Sequence, residues 1–141
     1  LITGAFEPES HLKPYLSPRP GLQSGLMIAQ YTAAACVNEM IGLATPASVA
    51  NLSTSAGMED YNSFGPRSAA KAARSLDLAR RVVAIEFLCA AQGLEYHRPL
   101  KSGKGVEAAY KIVRSKVKQL TEDRPLTADI EAIAELIRIG A

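Results

Sequence analysis

The chain has 141 residues, 48% of them hydrophobic and 21% charged, with a formal net charge of +2. That is the length of one domain able to bury a core, and the composition excludes wholesale disorder. So small a charge gives no sign of nucleic-acid binding, and no apolar run reaches the roughly 20 residues a membrane-spanning helix requires.

Residues 1–23 hold Pro8, Pro14, Pro18 and Pro20 together with Gly4 and Gly21. Proline removes backbone donors and restricts the residue before it, so this arm is expected to be extended or turning, not helical. Phe6, Leu12, Tyr15, Leu16 and Leu22 favour a strap laid over another surface rather than a free tail. The first residues show no basic segment followed by an apolar one, so a signal peptide is not expected. Cys36 and Cys89 have no C-x-x-C spacing and sit in apolar contexts. They read as buried free thiols of a reducing, cytoplasmic compartment. The chain does not begin with methionine, and we expect it to be part of a longer polypeptide.

The helical region is expected to run over residues 24–141. Ser24 is positioned to cap a helix reaching about Leu43. Leu26, Ala29, Ala33, Val37, Met40 and Ile41 recur at helical spacing, and apolar residues cover most of the circumference. That pattern predicts a helix surrounded by others. Pro46 stops it. Residues 47–65 then form a polar, Gly- and Ser-rich stretch that nonetheless carries Met58, Tyr61 and Phe64 beside Glu59 and Asp60. Loops of roughly this length inside a compact domain are functional or disordered. The apolar and aromatic content argues for a site-forming loop.

A long helix follows, from Pro66 to about Gly93, with Asn62 or Ser63 as cap and Pro66 in the first turn. Lys71, Arg74 and Arg81 make a basic stripe on its first half, to be solvated or ion-paired, or to meet acidic partner helices. Residues 82–94 are apolar on nearly every side, with Glu86 the lone charge. Glu86 is expected to pair with an arginine on a packed helix, because an unpaired buried carboxylate is costly. About 28 helical residues make a rod of roughly 42 Å, whereas a body of this size is about 37 Å across. Such a rod needs cover from partner subunits or further domains.

Arg98-Pro99-Leu100 and Arg124-Pro125-Leu126 each end one helical region and precede another. A helix is expected from about Val106 to Leu120, and a last one from Thr127 with Asp129 and Glu131 in its first turn. No strand-like alternation appears, so the fold class is all-α, a bundle of long helices. Gly103-Lys104-Gly105 follows no strand and reads as a flexible connection, not a phosphate loop. His11 and His97 have no partner at metal-ligand spacing, so no metal is expected. Asn51-Leu52-Ser53 matches a glycosylation acceptor by chance. Glu59 is the candidate with chemistry in it. A carboxylate between Met58 and Tyr61 can stand at the mouth of an apolar pocket, to bind a cation or take a proton. An exposed loop acid is the alternative.

Residues 25–35, Gly-Leu-Met-Ile-Ala-Gln-Tyr-Thr-Ala-Ala-Ala, resemble the long core helix of the aromatic amino acid ammonia-lyases. So do Pro46-Ala47-Ser48-Val49, Thr54-Ser55-Ala56 leading to Glu59-Asp60, Ala70-Lys71-Ala72-Ala73-Arg74, Arg81-Val82-Val83-Ala84-Ile85-Glu86, Ala90-Ala91-Gln92 and the two Arg-Pro-Leu tripeptides. The resemblance implies the C-terminal part of a helical lyase that eliminates ammonia from an amino acid. Its electrophile is a methylidene-imidazolone (MIO) cyclised from an internal Ala-Ser-Gly, with a tyrosine as base. This sequence holds neither Ala-Ser-Gly nor Tyr-Ser-x-Arg, so by itself it is expected to be inactive and to have the remainder of the polypeptide as a partner. The resemblance also implies a homotetramer whose pockets several subunits share.

Glu59 matches the acid that histidine ammonia-lyases place beside the substrate, and Met58 falls at a substrate-binding position. Met58 stands where those enzymes usually have glutamine, and Tyr61-Asn62 replaces their usual His-Val, which keeps phenylalanine or tyrosine lyases and aminomutases open. A non-catalytic helical oligomerisation module is the competing expectation. A coding sequence for Ala-Ser-Gly just upstream would separate the two.

Overall fold

The computed structural model describes residue 9 and residues 11–141; expectations for Phe6 and Pro8 lie outside the described residues. Four helices are present, α1 (Met27–Leu43), α2 (Gly65–Tyr96), α3 (Lys104–Lys116) and α4 (Thr127–Ile139), with no strand among the described residues. The chain is all-α, as its periodicity required. The helix α2 is the spine, and α1, α3 and α4 all pack against it.

With 32 residues, α2 measures about 48 Å. It exceeds the expected span at its C-terminal end because Gly93 does not stop it. Gly93 is buried within the helix, and the turn continues through Leu94, Glu95 and Tyr96 to a His97 cap. The core gathers Ala84, Ile85, Leu88, Cys89 and Ala91 of α2 with Val113, Val117 and Leu120 and with Ile130, Ile133 and Ala134 of α4. Fully burying one such Leu or Ile contributes about 1.5–3 kcal/mol.

The other faces are bare. Only Ala29 and Cys36 of α1 are buried, while Ile28, Tyr31, Val37 and Ile41 are exposed, as are Leu76, Val83 and Phe87 of α2. The cover expected around α1 is therefore not supplied by the described residues. Glu86 corrects the sequence reading. It lies exposed on α2 and joins none of the ion pairs among the described residues. The apolar run around it is half solvent-facing in the single chain, so no desolvation forces a pairing.

Residues 11–26 lie against the C-terminal end of α2. A 3₁₀ turn at Pro14–Leu16 drives Leu16 into the core. The Tyr96 hydroxyl donates to the Leu16 carbonyl at 2.9 Å, and the Lys13 ammonium sits 5.8 Å from the Tyr96 ring centre. Ser24 does not cap α1, which begins at Met27 without a side-chain cap. Instead the Asp123 carboxylate accepts the N–H groups of Ser24 and Gly25 at 2.8 and 2.9 Å, placing an anion ahead of the positive helix end. Gly25 has φ +58°, and a Cβ there would stand 2.6 Å from the Tyr15 carbonyl oxygen.

The helix α3 starts earlier and stops sooner than its apolar period implied. Gly103 is its cap, so Lys104 and Gly105 belong to the helix rather than to a connection. Val117 leaves it in extended conformation. The Gln92 carboxamide then holds Leu120, donating to its carbonyl at 3.1 Å and accepting its N–H at 3.0 Å.

Candidate functional site

The segment between α1 and α2 is a braced loop. It contains 3₁₀ turns at Ala47–Ala50 and Ser55–Gly57, and Lys71 of α2 donates to the Thr45 carbonyl at its entry. At the neck, the Asn51 Oδ1 accepts the Asn62 N–H at 3.0 Å while its Nδ2 donates to the Asn62 carbonyl at 2.9 Å. Asn62 returns the contact through its Nδ2 to the Leu52 carbonyl and accepts from the Thr54 hydroxyl at 3.1 Å. Closer to the tip, Thr54 and Glu59 exchange backbone hydrogen bonds of 2.8 and 3.2 Å.

This frame turns Met58, Glu59, Asp60 and Tyr61 outward. Met58 is 85% and Tyr61 76% exposed, and the Glu59 carboxylate is exposed between them. The two site residues named from sequence are thus adjacent at one tip, and no wall formed by the described residues faces them. The sequence missed the Asn51–Asn62 pairing. Its one signal was an asparagine at each shoulder of the loop, and Asn51 was assigned only a chance glycosylation match.

A groove of about 770 Å³ lies elsewhere, between α1, α2 and α4, floored by Ile28, Ala29, Leu78 and Ile130. Ion pairs cross it. Arg74 binds Glu39 of α1 at 2.7 and 2.9 Å, and Arg81 binds Glu131 of α4 at 2.9 Å. Arg74 and Arg81 of the basic stripe thus meet acids of their own chain, while Lys71 meets a backbone carbonyl. The Arg74 hydrogen bond holds the Glu39 carboxyl below its ordinary range.

A second cluster closes the far end of α2. Glu95 accepts from the Tyr110 hydroxyl at 2.7 Å and from Arg114 at 2.9 Å. Arg98, stacked 4.5 Å from the Tyr110 ring centre, pairs with Glu107. All of its acids and bases are partnered, which makes it a brace between α2 and α3. Cys36 and Cys89 are free and buried, and burial pushes the Cys89 thiol up to about 11. No group of metal-ligating residues occurs among the described residues, and none of the described helices is long and apolar enough to cross a membrane.

The profile of the aromatic amino acid lyases matches residues 1–115. The chain belongs to that family. This aromatic amino acid lyase chain is 48% identical to histidine ammonia-lyase of Natranaerobius thermophilus over 129 residues, covering 92% of itself and 25% of that protein. It spans about a quarter of the length of the curated relatives it matches. Among solved structures, histidine ammonia-lyase from Trypanosoma cruzi superposes with a TM-score of 0.86 at 41% identity, over 92% of this chain and 25% of that one. A tyrosine aminomutase from Streptomyces globisporus gives a TM-score of 0.84 at 34% identity, with the same two coverages. The four-helix arrangement is therefore that of the ammonia-lyase fold.

Proposed function

We propose that this chain is the C-terminal part of an ammonia-lyase acting on histidine to give urocanate, with Glu59 facing the substrate in a pocket completed by the rest of the polypeptide and by other copies. The observation that carries the reading is the presentation of Glu59 at the tip of a braced loop, in a chain so similar to histidine ammonia-lyases. A carboxylate there opposes the positive charge of an ammonium or imidazolium, and a charge-assisted contact both orients the substrate and can accept a proton. Met58 and Tyr61, exposed on either side, supply apolar surface to exclude water once neighbouring subunits cover them.

The family's MIO would supply the electrophile for loss of the amine. No Ala-Ser-Gly occurs in this chain, so its residues do not fit that group and no step here runs through it. The isolated chain is accordingly inactive, and the bare faces of α1 and α2 meet partner helices in a cytoplasmic homotetramer. The second reading, a tyrosine or phenylalanine lyase or aminomutase, is favoured by Met58 and Tyr61 and by the likeness to the tyrosine aminomutase.

The test is an assay of the full-length enzyme on histidine, phenylalanine and tyrosine, following the ultraviolet absorbance of the acrylate product. Histidine turnover that falls at least about tenfold in Glu59→Gln supports the reading. Unchanged histidine turnover in that variant overturns it, and preference for tyrosine selects the alternative.

A further inference from the structure

We propose that Asn51 and Asn62 are positioning residues for Glu59, their side chains closing the neck of the loop and so setting the direction in which its carboxylate is offered. The inference rests on the substrate-facing role given to Glu59 above.

Four observations carry it. First, the neck is closed by carboxamides. The Asn51 side chain engages both the N–H and the carbonyl of Asn62, as a neighbouring strand would, and also accepts the Leu52 N–H at 2.9 Å. Second, Asn62 answers across the same gap, to the Leu52 carbonyl and the Thr54 hydroxyl. Thr54 is itself the residue whose backbone pairs with Glu59, so the clamp is one bond removed from the acid. Third, the tip holds Ser55 and Ala56 in the left-handed region at φ +52° and +54°. Residues with a Cβ persist there only where the surroundings over-determine them. Fourth, no apolar burial keeps this stretch in shape, since Leu52, Met58 and Tyr61 are all exposed. The polar clamp is what remains to do it.

The chemistry selects asparagine at position 51. One side chain must both donate and accept. An aspartate there would keep the acceptor but turn an anion toward the Asn62 carbonyl. An alanine would leave the neck open while the helical core, which includes neither residue, stays intact.

The test is a double-mutant cycle in the full-length enzyme, with Asn51→Ala, Glu59→Gln and the double variant. Misplacing a reacting group by about 1 Å costs on the order of 100-fold. The expected result is a fall of about that size in kcat for Asn51→Ala, an unmoved thermal midpoint, and less than about twofold further loss when Asn51→Ala is added to Glu59→Gln. Faster hydrogen exchange at the Glu59 and Asn62 amides accompanies it. Thr54→Val, which removes one exposed hydroxyl and keeps the shape, gives a smaller loss with the same coupling, and it carries the cycle should Asn51→Ala not assemble. Equal losses in both backgrounds, with Glu59→Gln itself slow, overturn positioning and leave the role of Glu59 standing. Full turnover in Glu59→Gln removes that role and this inference together.

Discussion

The side chain of Gln92, 2% exposed, pairs with both backbone groups of Leu120 at 3.1 and 3.0 Å. Twenty-eight residues apart in sequence, the two join the spine helix to the segment after α3. Leu120 is itself buried, so bulk water does not replace Gln92 at its N–H and carbonyl. Gln92→Leu keeps the apolar bulk but strands both, at about 1–3 kcal/mol each. Urea unfolding of the chain should show a loss of about 2–6 kcal/mol, by far exceeding that of a surface Gln→Leu change such as Gln30→Leu.

Gly25→Ala should also destabilise. The new Cβ would meet the Tyr15 carbonyl oxygen at 2.6 Å and Ser17 at 2.9 Å, on a backbone with φ +58°. Relief requires moving the 3₁₀ turn that seats Leu16. A cost of at least about 1–3 kcal/mol follows from strain and displaced packing, whereas Gly103→Ala, with open space around it, should be nearly neutral. Thermal melts of the two variants compare them directly.

Acid should weaken the α1–α2 contact through Glu39. Its carboxyl is held below the ordinary 4.5 by the hydrogen bond from Arg74. A lowered folded value means the contribution is present above pH 4.5 and is lost as pH falls through the folded value. Glu39→Gln should therefore flatten part of the acid limb of the stability–pH curve while changing the neutral-pH midpoint little, since the pair is exposed.

Alkali acts on Cys89 in the opposite sense. Burial raises its thiol from 9.0 to about 11, so the folded state keeps a proton that the unfolded chain gives up. The contribution is complete below pH 9 and is lost as pH rises through 11, at most on the order of 3 kcal/mol. Burial also raises the Tyr96 phenol, which adds to the same limb. Cys89→Ala should reduce the slope of stability against pH between 9 and 11, measured by urea midpoints.

Apolar periodicity located α2, α3 and α4 through the stripes they bury, as Ile130, Ile133 and Ala134 show in α4, and α1 through apolar residues spread around its whole circumference, only two of which are buried. It failed at ends decided by distant partners. Val117 and Leu120 continue the helical period of α3, yet both are buried after the helix has ended, because Gln92 offers Leu120 a better match. Ser24 has the chemistry of a cap but does not act as one, and its own N–H is held by Asp123, 99 residues away. Glu86 looked buried because one sequence cannot tell an apolar face that packs within the chain from one left for other chains. At the loop, composition and resemblance single out Met58 and Glu59 as candidates, and the fold sets both at the exposed tip. The clamp under them was not legible, since two asparagines eleven residues apart announce no pairing until the backbone brings them together.

The carboxylate of Asp123 also imposes an order on biosynthesis. The ribosome must deliver nearly the whole of this chain before the first helix receives the acid that anchors its beginning. Until then the turn leading into α1 lacks that contact, and a stop codon shortly before the aspartate would remove it from every molecule made, leaving α1 held by α2 alone.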